Sequence, residues 1–315
     1  MSDRDPVVLS EAERERGRVE GSETERERGR VEGRIALLTA AALVGFAANS
    51  VLCRLALRGE EIDAASYTAV RLVSGAVVLA ALAWPRSSGS RTMPRGSWGS
   101  ALALFAYAAP FSFAYVRVHT GVGALVLFGC VQTTMLAWAI ARGERPRPIV
   151  WLGLAIAAGG LVVLARPGGG APDALGAAVM AVAGVAWGVY SVRGKGAGDP
   201  LAATAGNFVR TVPMAAVLVA VVALVEHDAS ALHASWRGAL LATASGAIAS
   251  GLGYTFWYAA LRGLTATRAA VLQLLVPLLA AGAGVALLDE SLTTRLVVAA
   301  ATITGGVALA IRGRS

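Results

Sequence analysis

The chain has little of what enzymes are built from. Two cysteines and three histidines occur in 315 residues. Cys53 and Cys130 both lie in apolar runs, where a thiol packs as a small hydrophobe. His119, His227 and His233 stand at expected loop or helix ends, and no His/Cys/carboxylate cluster has metal-ligand spacing. There is no glycine-rich phosphate loop and no nucleophile elbow, so neither a metal nor a cofactor is expected. Charge is scarce as well, at 15% of residues, and much of it is segregated. Residues 1–34 hold eight of the 28 Lys and Arg and ten of the 20 Asp and Glu. The net charge of +8 therefore falls in loops and does not point to nucleic acid.

What is present is hydrophobic length. Apolar residues make up 56% of the chain and the mean hydropathy is +0.62, which excludes an ordinary soluble globule and makes the bilayer the solvent. Residues 1–33 carry the string ERERGRVEG twice, at Glu13 to Gly21 and Glu25 to Gly33. Alternating charge without apolar periodicity predicts a solvated tail, disordered or loosely helical. No short apolar region with a cleavage site follows it, so it does not read as a signal peptide. From Ile35 onward, apolar segments of roughly 17 to 25 residues alternate with short polar loops, the length a bilayer core requires. Ten such spans are expected. With the N-terminus inside, the later inner loops carry twelve basic residues (Arg86, Arg91, Arg95, Arg142, Arg145, Arg147, Arg193, Lys195, Arg262, Arg268, Arg312 and Arg314). The outer ones carry only six (Arg54, Arg58, Arg117, Arg166, Arg237 and Arg295). This bias predicts a multi-pass inner-membrane protein with both termini cytoplasmic.

The two halves of the chain match. VRLVSGAVVLA from Val70 parallels VRTVPMAAVLV from Val209 and pairs Arg71 with Arg210; Ser97-Trp98 parallels Ser235-Trp236; Glu144 parallels Glu290; Gly159-Gly160 parallels Gly305-Gly306. The expected organisation is therefore a tail over residues 1–33, a first five-helix repeat over 34–166 and a second over 172–312. An odd number of spans per unit inverts the second repeat relative to the first, and inverted repeats are the signature of alternating-access transport. In the order of these motifs, with Pro277 in the expected ninth span and the acidic turns Gly143-Glu144 and Asp289-Glu290, the chain resembles the EamA-type branch of the drug/metabolite transporter superfamily. The resemblance spans about residues 34 to 312. It implies an all-α integral membrane fold of ten transmembrane helices, two inverted five-helix repeats around a central cavity, and mostly export of amino acids, related metabolites or drug-like compounds. The first repeat departs from the pattern with Val131 where proline is expected, which predicts a straighter fourth span.

Arg71 and Arg210 lie roughly eight residues into their spans, where a charge costs a few kcal/mol. Two readings of the pair are open: structural, each bonding backbone carbonyls or reaching the interface, and recognition of an anion. The substrate-lining candidates are neutral. Asn49 aligns with Tyr190, and Phe46 with Trp187, so that i and i+3 positions present one face in each repeat. Tyr254, Trp257 and Tyr258 stand at i, i+3 and i+4. Gln132, Thr133, Thr134 and Gln273 add hydrogen-bonding groups. The alternative is that these side chains only cross-link helices, at about 1 kcal/mol each. Trp84, Trp98, Trp151 and Trp236 at span ends read as interface anchors, and runs such as Ser245-Gly246-Ala247 read as close packing. No Asp or Glu lies centrally in any span, so proton coupling would require a carboxylate at a span end; facilitated diffusion or exchange is an equal alternative. The expected partners are a small-molecule solute and the lipid bilayer, with one chain sufficing as a monomer. Uptake of a vitamin or similar solute, a lipid-linked-sugar flippase subunit and a membrane scaffold are the competing readings.

Overall fold

The computed structural model describes residues 11–83, 96–118, 120–165, 173–226, 232–287 and 294–312. Trp84, Arg86, Arg91, Arg95, His119, Arg166, His227, Asp289, Glu290 and Arg314 lie outside these residues. The described chain is helical: α1 (Glu11–Arg58), α2 (Ala64–Ala83), α3 (Trp98–Arg117), α4 (Thr120–Ala141), α5 (Pro148–Ala165), α6 (Ala174–Gly194), α7 (Pro200–Glu226), α8 (Trp236–Ala244), a π-helical stretch (Ser245–Leu252), α9 (Gly253–Leu261), α10 (Ala266–Gln273), α11 (Val276–Leu287) and α12 (Thr294–Arg312). Among the described residues, six helices are long and apolar enough to cross a membrane: residues 26–57, α2, α3, α6, α7, and the continuous run from α8 to α9. Shorter apolar helices occupy the positions of the other four expected spans. The tail, expected to be disordered or loosely helical, is helical from Glu11 and continues unbroken into the first span.

Local chemistry explains the boundaries. Ser97 opens α3 by accepting from Ser100 N, and Ser235 opens α8 by accepting from Gly238 N. The paired Ser-Trp motifs are thus two copies of one helix cap, each followed by a strongly exposed tryptophan, as an interface anchor requires. The acidic turn after α4 has an equally local origin. Gly143 adopts φ +85°, its N–H donates to Ile140 O, and Glu144 N donates to Ala139 O. This αL closure of a helix favours glycine because a Cβ would be strained there. The expected ninth span is broken: α10 stops at Gln273 and α11 starts at Val276, since Pro277 cannot donate a hydrogen bond to the carbonyl four residues back. In α4, with Val131 in place of that proline, the helix runs without a break.

Helices pack across the two halves. α2 lies against α7, α5 against α12, α3 against α6, and α1 against α9 and the π-helical stretch, while α6 also meets α4 and α1 also meets α11. At the α5–α12 crossing a Cβ on Gly306 would stand 2.5 Å from Gly153 O, so only glycine admits this approach; Gly159 and Gly305 meet no neighbour within 4 Å.

Polar contacts between the halves tie both ends of the bundle. At one end, the turn before α2 grips the turn before α8. Asp63 N donates to His233 O (3.0 Å), His233 N to Asp63 Oδ2 (2.9 Å) and Ser235 N to Glu61 O (2.7 Å), with an Arg237–Glu61 ion pair at 3.4 Å. At the other end, the Glu144 carboxylate caps α10. It accepts from Ala266 N (3.0 Å), Thr267 N (3.3 Å) and Thr267 Oγ1 (2.7 Å), and beside it, within the second half, Lys195 Nζ donates to Leu264 O (2.8 Å). Partial burial opposes ionisation of Glu144, but these donors outweigh it and hold the carboxyl below its usual range. A lowered folded pKa means the capping contribution is complete above the ordinary value of 4.5 and is lost as pH falls through the depressed one. Glu144→Gln should therefore lower stability in detergent by about 1 kcal/mol at pH 7, the usual worth of a cap. The gap from wild type should close only in acid below pH 4.5. Equal melting temperatures at pH 7 would show that the cap contributes nothing.

Candidate functional site

Arg71, on α2, is 1% exposed. Its Nε donates to Ser250 Oγ (3.0 Å), and its Nη2 donates to the hydroxyls of Tyr254 (2.6 Å) and Tyr107 (3.4 Å). The rings of Tyr107 and Phe111 lie 5.3 and 5.6 Å from the guanidinium carbon, within cation–π range. Asn49, on α1, joins the same group: its Nδ2 donates to Tyr107 OH (3.4 Å), and its Oδ1 accepts from Ser245 Oγ (2.5 Å) and Ser250 Oγ (3.3 Å). These two serines reach one acceptor because they sit in the π-helical stretch, where hydrogen bonding at i→i+5 brings residues five apart onto nearly one face. Such stretches recur at functional sites.

An aromatic layer adjoins the arginine. Phe46 meets Trp187 edge-on at 5.1 Å and Trp257 at 5.6 Å; Trp187 lies 4.6 Å from Tyr254 and 4.9 Å from Tyr107; Tyr190 lies 4.9 Å from Tyr258. These rings touch one another and close around the polar group. Each indole N–H and the Tyr258 hydroxyl finds a partner, as burial demands: Trp187 Nε1 donates to Gln273 Oε1 (2.6 Å), Trp257 Nε1 to Ser191 Oγ (3.1 Å) and Tyr258 OH to Tyr190 O (3.1 Å). Gln273 is the last residue of α10, at the helix break, and its Nε2 donates to Met135 Sδ on α4. The layer thus joins α1, α3, α6, α9 and the broken span.

Of the residues singled out in the sequence, Asn49, Arg71, Trp187, Tyr190, Tyr254, Trp257, Tyr258 and Gln273 come together. Gln132 stands apart as a link from α4 to α10, donating to Ala270 O (2.6 Å). Thr133 and Thr134 bond carbonyls of their own helix. The two repeat-equivalent arginines have different surroundings. Arg210 is half-buried, donates to Gly206 O (2.8 Å) and lies 5.9 Å from the exposed Trp98 ring. Arg71 donates instead to the side-chain hydroxyls of Ser250, Tyr254 and Tyr107. Tyr107, Ser245 and Ser250 were not singled out as site residues. Tyr107 carried a usable signal, an aromatic pair with Phe111 at i and i+4 inside an apolar span. The serines carried none at α-helical period, because residues five apart point to different sides of an α-helix.

A hydrogen-bonded polar group buried among apolar helices of spanning length defines an all-helical, multi-pass membrane protein. The model of the EamA-like transporter family matches residues 174–312. The chain belongs to that family, within the drug/metabolite transporter superfamily, and the members of the family are membrane transporters, not enzymes. It is 49% identical over 281 residues to an uncharacterized protein of Pseudomonas aeruginosa, covering 89% of this chain and 96% of that one. A solved crystal structure matches with a TM-score of 0.69 at 24% identity, covering 87% of this chain and 98% of that chain, a likeness of fold.

Proposed function

We propose that the protein is a secondary transporter that moves small amphipathic solutes by alternating access of two inverted five-helix repeats, residues 34–166 and 172–312. It works as a monomer in the inner membrane with both termini cytoplasmic. The observation that carries this reading is the pairing of helices. Equivalent helices of the two repeats pack on each other, α2 on α7 and α5 on α12, and the α3–α6 contact has its counterpart in the α1–α9 contact. This reciprocity supports a pseudo-two-fold axis in the membrane plane. The polar ties between repeats at both ends then act as the two gates, of which one releases at a time, and the site residues named above line the path. Export is the favoured direction, on the resemblance alone.

Purified protein in liposomes, tested for flux of amino acids, nucleosides, vitamins and aromatic compounds, should carry at least one of them saturably. Folded protein that moves none of them would sink the transporter reading in favour of a scaffold or a lipid substrate. One observation favours the lipid-linked-sugar flippase as a second reading. An apolar groove of about 260 Å³ opens between α1 and the π-helical stretch, lined by Val44, Ala48, Ile248, Leu252 and Phe256, with Val44 and Ile248 exposed. Scrambling of a lipid-linked sugar by the same liposomes would support that alternative.

A further inference from the structure

Resting on the transporter reading above, we infer that the site around Arg71 takes a solute of net negative charge, a carboxylate on a flat aromatic body, in preference to a zwitterion or a cation. A guanidinium keeps its charge in any protein environment, and burying it costs heavily unless something compensates it. No negatively charged group described in this chain does so, and the ring faces of Tyr107 and Phe111 offset the charge only in part. Its hydrogen-bond partners, Ser250, Tyr254 and Tyr107, are neutral hydroxyls. Its Nη1 is buried with no hydrogen-bond partner among the described residues. The Arg117–Asp173 and Arg237–Glu61 ion pairs join helix ends and turns, and the sequence places no Asp or Glu centrally in any span. Among the described residues the site therefore holds one positive charge without a counter-charge and one guanidinium nitrogen without a hydrogen-bond partner.

A carboxylate meets both needs. A carboxylate oxygen can accept from the unpartnered Nη1, and a charge-assisted bond made out of water is stronger than one between neutral groups. The body of the solute is set by what stands beside the arginine. Phe46, Tyr107, Trp187 and Tyr254 form a contiguous set of rings, and rings of this kind select flat apolar surface. Rejection of an ammonium group follows from the same charge balance. A second cation beside Arg71 is repelled, and no carboxylate described near it offers a counter-charge.

The test compares four solutes that share one benzyl group, on the wild-type protein in liposomes: phenylacetate, phenylacetamide, phenylalanine and phenethylamine, read by thermal shift and by flux. Phenylacetate should bind at least about tenfold more tightly than its amide, the size of one charge-assisted bond, and should be carried in preference to phenylalanine and phenethylamine. Arg71→Gln should bring acid and amide within about twofold of each other, and Arg71→Lys should weaken the acid while keeping its preference. The wild-type comparison decides the matter even where a variant does not fold. Equal binding of acid and amide, or carriage of phenylalanine or phenethylamine in preference to phenylacetate, overturns the inference and leaves the transporter standing. Absence of flux for these four and for the broad panel overturns both.

Discussion

Replacing Gly246 by leucine is expected to abolish recovery of folded protein from the membrane. Gly246 lies in the π-helical stretch directly over α2. A Cβ there would fall 2.0 Å from Arg71 O and 2.2 Å from Ser74 Oγ. Ser74 can rotate away, whereas a helix carbonyl cannot, so the whole stretch would have to lift off α2. Overpacking by one or two methylenes in a tight interior typically costs 1–3 kcal/mol. A branched side chain against backbone should exceed that range, and the shift would also pull Ser245 and Ser250 away from Asn49 and Arg71. The control is Gly159→Leu on α5, where nothing stands within 4 Å. Size-exclusion profiles and melting temperatures in detergent check the pair. A Gly246→Leu protein as monodisperse and as stable as Gly159→Leu would show that the contact between the stretch and α2 is not close in solution.

The second large effect is expected at Tyr254. Its ring meets Phe46, Tyr107, Trp187, Tyr190 and Phe208, and its hydroxyl accepts the shortest bond from Arg71 (2.6 Å). Tyr254→Ala opens a cavity among rings and should cost about 3–5 kcal/mol, the usual figure for a buried aromatic. Tyr254→Phe keeps every ring contact and removes one acceptor from the guanidinium, at about 1–3 kcal/mol. The expected result is a steep loss of melting temperature and of all flux for alanine, with a smaller loss for phenylalanine. Similar melting temperatures for the two variants would mean that the hydroxyl, not the ring layer, dominates this residue's contribution.

The helical class was legible in the sequence because it depends on local quantities. Segment length and hydropathy announce spans, and a serine three residues before a free N–H announces a helix start, so the Ser97-Trp98 and Ser235-Trp236 pair could be matched before any contact was known. The role of Glu144 was only half legible. Its Gly143-Glu144 turn could be read, but not that the carboxylate would cap α10, more than a hundred residues later. The two arginines read as equivalents, and their different burial could not be foreseen, since it depends on which helix packs over each.

What the amino-acid order determined by itself is therefore the material: a membrane chain of apolar helices, repeated motifs, a proline in the ninth span, and candidate polar residues deep in the spans. Tertiary structure decided which of these meet. Arg71 bonds Tyr254 across 183 residues, and Asn49 accepts from Ser245 across 196; hydropathy and period carry no information at that range. The π-helical stretch adds a second reason. It changes the angular period of a single helix locally, so side chains that an α-helical wheel would scatter are turned toward one arginine. That register comes from the close packing of the stretch on α2 and α1, which exists only once the bundle has formed.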